Sequence, residues 1–160
     1  EGMRDSNVIL APSSSIDVPM DRGDAARSGV MPGPGIENGL ESKWRFEAGR
    51  SNVSAPAVIG DTVFVTSGAE VGGGSENQGA IIAIDATTGS ESWRFPTEQA
   101  AGTTPAIAHG IVFAGDTGGV LYALEAGTGQ ELWRTDLQSG WTSAPVICAW
   151  RGAWRSSAAR

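Results

Sequence analysis

A tryptophan and a proline twelve residues apart occur three times in this chain, and that repetition constrains the fold more than any single motif. Trp44-Arg45-Phe46 leads to Ala55-Pro56, Trp93-Arg94-Phe95 to Thr104-Pro105, and Trp133-Arg134-Thr135 to Ala144-Pro145. Trp93 and Trp133 stand 40 residues apart, whereas Trp44 and Trp93 stand 49 apart. The surplus falls in Gly68 to Gly79, a Gly-rich stretch that reads as an enlarged loop. A fixed period of this size marks a repeat architecture, in which each unit buries its apolar surface against its neighbours.

Within each period the pattern is one of short strands separated by turn signals. Val53 to Ile59, Gly60-Asp61 and Thr62 to Thr66 read as two strands and a tight turn, and Thr103 to Ala108, His109-Gly110 and Ile111 to Ala114 repeat the arrangement. Ala80 to Asp85 and Val120 to Glu125 supply a third strand, and the segments carrying Trp93 and Trp133 a fourth. Four strands in roughly 40 to 45 residues is the arithmetic of a propeller blade. The expectation is therefore an all-β chain: a partial β-propeller of four-stranded antiparallel blades, about two complete blades plus partial ones. Gly and Pro recur too often for a helical apolar stripe to persist, and Asp24 to Arg27 is the one short helical candidate.

Two segments share more than a period. Ala83-Ile84-Asp85-Ala86-Thr87-Thr88-Gly89-Ser90-Glu91-Ser92-Trp93 and Ala123-Leu124-Glu125-Ala126-Gly127-Thr128-Gly129-Gln130-Glu131-Leu132-Trp133 both read A-x-[DE]-x-x-T-G-x-x-x-W. The acid, Asp85 or Glu125, is suited to holding the following turn. Thr88 or Thr128 can add a hydroxyl bond, and Gly89 or Gly129 can take positive φ without a Cβ penalty. The indole is a large apolar plate whose N–H wants a partner, and Ala83 or Ala123 leaves room for it. This constellation, with Trp44 as a less complete copy, is a structural docking motif by which one blade would seat on the next.

These residues resemble the tryptophan-docking motif of the PQQ-like β-propeller repeat family, which includes quinoprotein alcohol dehydrogenases and the propeller lipoprotein of outer-membrane assembly. Ala55-Pro56-Ala57-Val58 and Thr104-Pro105-Ala106-Ile107 are similar to its inner-strand S-P-A-V. Met20-Asp21-Arg22-Gly23-Asp24-Ala25-Ala26-Arg27-Ser28-Gly29-Val30 with Pro32-Gly33-Pro34-Gly35 is similar to the lead-in before its first blade. Trp44 lacks the Ala, Thr and Gly before it, as expected if residues near 41 to 47 form an outer strand that closes the ring against a last blade. A closed ring at about 40 residues per blade needs roughly 280 to 320 residues, and this chain has 160. Residues 1–35 read as an extended lead-in arm and 36–147 as the propeller repeats.

Residues 148–160 break the pattern. Where the repeat calls for a strand, a polar turn and a second strand, the chain carries Trp150, Trp154, Arg151, Arg155 and Arg160 and no acid. The expectation is a shifted reading frame near codon 148, with a basic docking tail as the alternative.

Charge and composition exclude several function classes. The net charge of -7 offers no basic surface for phosphates, so nucleic acid is not an expected partner. No stretch is long and apolar enough to span a membrane as a helix. Cys148 is the single cysteine and His109 the single histidine, which leaves no disulfide framework and no His pair for zinc. The first residues lack the basic start and apolar centre of a secretion signal.

Two functional readings follow. The first is a non-catalytic propeller module acting as an extracytoplasmic binding or scaffold domain, periplasmic or extracellular by family resemblance. Its partners are a protein, or the other blades of a parent propeller, with self-association through open sheet edges. The alternative is a fragment of a PQQ-dependent dehydrogenase. The resemblance implies that PQQ belongs only to a full-length propeller, and no cofactor is assignable here. The vicinal cysteine pair of many such enzymes cannot form with one Cys. No catalytic residue and no metal ligand set stands out: His109 reads as a solvated turn residue, Glu70, Glu76 and Asn77 as an acidic loop, Asp116 and Thr117 as turn formers, and Trp141 as a rim residue.

Overall fold

Short β-branched runs ended by Gly-containing turns cannot build long strands, and the chain accordingly folds into strands of three to six residues. A computed structural model describes residues 17–19, 42–48, 53–68 and 78–138. Strands β1 (Ala57–Ile59), β2 (Thr62–Ser67), β3 (Ala80–Asp85) and β4 (Glu91–Pro96) form one antiparallel sheet in that order. Strands β5 (Ala106–Ala108), β6 (Ile111–Gly115), β7 (Val120–Glu125) and β8 (Glu131–Asp136) form a second. The described residues contain no helix.

The two sheets share one register. Phe64 pairs with Ala83 and Ala83 with Trp93; in the second sheet Phe113 pairs with Ala123 and Ala123 with Trp133. Both have an irregularity at the same place, after Ala83 and after Ala123. The small alanine lies between two aromatics, and the ring centroids of Phe64 and Trp93 are 5.9 Å apart, those of Phe113 and Trp133 6.0 Å.

Strand β3 is apolar on both faces because both faces are covered. Ile81 and Ala83 join Phe64 in a core with Val112, Ala114, Tyr122 and Leu124 of the second sheet. Ile82 and Ile84 point the other way, into a cluster with Val65 against which Trp44 and Phe46 pack. Alternation along a strand sends successive residues to opposite faces, so an unbroken Ala-Ile-Ile-Ala-Ile run is the pattern of an interior blade strand.

Two boundaries differ from the sequence expectation. The first strand of each blade starts at residue 57 or 106, later than residues 53 and 103, because Pro56 and Pro105 cannot donate to a ladder. Ser54 still holds the edge of β2: its N–H donates to Thr66 O at 3.0 Å, and its Oγ accepts from Thr66 N at 3.0 Å. Residues 42–48 form no strand, since an outer strand exists only by pairing to the strand inside it. They lie as an extended cover on the first sheet instead. The short helical candidate at Asp24 to Arg27, the lead-in near Met31 to Gly35 and the tail after Cys148 fall outside the described residues, as do Glu70, Glu76, Asn77 and Trp141.

Candidate functional site

Among the described residues, a recurring polar cluster lies where the outer edge of one blade meets a turn of the next. In the first turn the Asp85 carboxylate Oδ1 accepts from the N–H of Thr87 at 2.9 Å, the N–H of Thr88 at 2.7 Å and the Thr88 hydroxyl at 3.0 Å. The Thr88 hydroxyl in turn accepts from Ser90 N at 3.2 Å. Gly89 closes the turn at φ 75 and donates to Asp85 O at 2.8 Å. The carboxyl of Asp85 is held below its ordinary value of 3.8, first by the Thr88 N–H and then by the Thr88 hydroxyl.

The second turn repeats this backbone. Gly129 has φ 73 and donates to Glu125 O at 2.8 Å, and Gln130 N donates to the Thr128 hydroxyl at 3.2 Å. Glu125, one methylene longer than Asp85, accepts from the Thr128 hydroxyl through Oε2.

Each turn receives an indole from the preceding segment. Trp44 Nε1 donates to Ala86 O at 2.8 Å, and Trp93 Nε1 donates to Ala126 O at 2.9 Å. Both rings lie so close to the turn glycines that a Cβ on Gly89 would fall 2.6 Å from Trp44 Cγ, and one on Gly129 2.6 Å from Trp93 Cδ2. The glycines are therefore required twice, for the backbone angle and for the ring. Of the residues singled out from sequence, the structure brings Trp44 to Gly89 and Trp93 to Gly129, with Ala83 and Ala123 fully buried beneath Trp93 and Trp133.

A second polar cluster was not singled out. Asp116 is completely buried, and reading it as a turn former captures only half its role. Its Oδ1 accepts from Gly118 N and Val120 N, both at 3.0 Å, which shapes the β6–β7 turn. Its Oδ2 accepts from the Tyr122 hydroxyl at 2.9 Å and from Gln99 N at 3.2 Å. Tyr122 Oη accepts from Glu98 N at 3.0 Å. Together they pin the connection between the two blades onto the second blade. Burial first, and then the Asp116 carboxylate, push the Tyr122 phenol above its ordinary value of 10.0. The signal for this cluster was a lone Tyr at an interior strand position, where a buried hydroxyl must find a partner.

Arg134 lies over the Tyr122 ring at 5.5 Å and pairs with Glu98 at 2.6 Å and Glu131 at 2.7 Å. His109 sits exposed at φ 51 beside Gly110 at φ 75, in the turn between β5 and β6. Among the described residues no group of three or more His, Cys, Asp or Glu could hold a metal ion. Both carboxylate oxygens of Asp116 and Oδ1 of Asp85 already accept from neighbouring N–H and hydroxyl groups. The described residues thus do not by themselves fit a quinone with its metal. No helix among them is long and apolar enough to cross a membrane.

Comparison with known proteins gives a consistent relationship. Residues 77–151 match the family model described as outer membrane protein assembly factor BamB. Over 69 residues, 43% of this chain and 9% of the relative, the sequence is 38% identical to a polyvinylalcohol dehydrogenase of Sphingopyxis sp. (strain 113P3). The fold is similar to a quinohemoprotein alcohol dehydrogenase of Pseudomonas putida HK5, with a TM-score of 0.66 and 20% identity over 83% of this chain and 22% of that one. A quinohemoprotein alcohol dehydrogenase of Comamonas testosteroni gives a TM-score of 0.58 and 23% identity over 75% of this chain and 19% of that one. The chain thus spans under a quarter of the length of each of these relatives. The chain is thus a partial β-propeller, and its residues 77–151, which hold both Thr-Gly turns, resemble the PQQ-like repeat family.

Proposed function

We propose that this chain is a stretch of the propeller of a quinone-dependent alcohol dehydrogenase. The observation that carries the reading is the 38% identity to a polyvinylalcohol dehydrogenase; the two quinohemoprotein structures add the fold. On this reading PQQ belongs to the whole propeller, and the two blades form part of the wall around its axis. The role of Trp44 and Trp93 is to lock successive blades, with Trp133 in the equivalent place for a following one. An extracytoplasmic location goes with the family.

The match of residues 77–151 to an outer-membrane assembly factor favours a second reading, a scaffold that presents loops to protein partners. The two separate in one experiment on the complete propeller-bearing protein, incubated with PQQ and calcium and assayed for alcohol-dependent reduction of an artificial electron acceptor. The expected result is reduction that requires both PQQ and alcohol. A complete, folded propeller that neither binds PQQ nor reduces the acceptor would overturn the dehydrogenase reading and leave the scaffold.

A further inference from the structure

The first strand of each blade has a sheet neighbour on one side only, β2 for β1 and β6 for β5. The open edges of β1 and β5 are not left bare. Residues 17–19, which the sequence reading placed in a lead-in arm, lie between them. Val18 N donates to Val58 O and Val58 N to Val18 O, both at 2.7 Å, an antiparallel bridge to β1. The next carbonyl, that of Pro19, accepts from Ile107 N of β5 at 2.8 Å. Before them, the Asp17 carboxylate accepts from Gly60 N at 2.9 Å.

This alternation is what an extended segment imposes. The N–H and C=O of one residue point to one side, and those of the next residue to the other. Val18 therefore serves β1 and Pro19 serves β5. Val58 and Ile107 hold equivalent positions, two residues after the repeat prolines and opposite Val63 and Val112. One short segment takes the same N–H of two consecutive blades. Proline is suited to residue 19, where only a carbonyl is used, because it removes a donor that would otherwise face the gap.

We infer that Asp17–Pro19 is a strap that hydrogen-bonds the inner strands of two consecutive blades to each other. The blade pair is then held at three radii: by this main-chain strap at the inner strands, by the shared apolar core in the middle, and by the Trp93 indole at the outer edge. The strap also occupies the strand edges that would otherwise accept a foreign strand. It does not depend on whether the parent propeller binds a quinone.

The test is amide hydrogen exchange by NMR on the 160-residue chain and two variants. Val18→Pro removes the Val18 donor and disturbs the bridge, so the Val58 and Ile107 amides should exchange at least about tenfold faster. Asp17→Ala should accelerate Gly60 alone. The Ile82 and Leu124 amides, in the middle strands of the two sheets, should stay as in the parent chain. Parent-like exchange at Val58 and Ile107 in Val18→Pro would overturn the strap. Should Val18→Pro unfold the chain, Asp17→Ala decides: acceleration confined to Gly60 supports the strap, and an unchanged Gly60 overturns it.

Discussion

At the scale of single residues, the glycines at the two indole contacts make the sharpest prediction. Gly129 and Gly110 both sit near φ 75, but a Cβ on Gly110 would meet open space whereas one on Gly129 would meet the Trp93 ring. Alanine at Gly110 carries only the left-handed backbone cost of about 1–2 kcal/mol. At Gly129 an overpacking cost of about 1–3 kcal/mol is added. Urea unfolding should therefore rank Gly129→Ala clearly below Gly110→Ala; equal losses would mean that the indole does not press on the turn.

The Asp85 turn gives a pH prediction. Because the folded chain holds this carboxyl below 3.8, the unfolded chain binds its proton more tightly. The stabilisation is complete above about pH 4 and is lost as pH falls through the lowered folded value. Asp85→Asn should flatten that acid limb, read as urea midpoints at pH 7 and pH 3. Tyr122 acts at the other end of the scale. Tyr122→Phe leaves Asp116 Oδ2 with one donor fewer and Glu98 N without its acceptor, a loss of about 1–3 kcal/mol at neutral pH. It should also remove a loss of stability that begins above pH 10, since a phenol with a raised folded value stabilises below its unfolded value.

At the scale of elements, strand lengths follow from local chemistry and strand edges do not. The three-residue length of β1 and β5 follows from Pro56 and Pro105 on one side and the Gly60 and His109-Gly110 turns on the other. The outer strand β8 pairs with β7 alone among the described strands, and Leu132 within it and Leu137 just after it are 50% and 41% exposed. An open edge with apolar neighbours is a template for strand addition. The apparent molar mass of the 160-residue chain from static light scattering should rise with concentration, and Leu132→Lys should reduce that rise; a molar mass that stays at the monomer value across concentrations would remove β8 as a self-association edge.

At the scale of the whole molecule, the propeller was legible because its information is periodic. Trp, Thr-Gly and Pro recur at fixed spacing, and each element of the motif acts over fewer than a dozen residues, so the sequence alone determined the all-β architecture, the four strands per blade and the two tight Thr-Gly turns. The comparisons shift the functional weight from the scaffold reading toward the dehydrogenase reading, because the sequence likeness runs to an alcohol-oxidising enzyme. What only the tertiary structure decided are contacts between residues far apart in the chain and outside the period. Asp116 reaches back 17 residues to Gln99 N, and Pro19 reaches forward to Ile107. Neither carries a local signal, because an acid in a turn and a proline in an arm look alike whether solvated or buried. Their roles arise when the two sheets pack: Asp116 and Ile107 become buried, and a buried polar group must then take the partner that the fold brings to it.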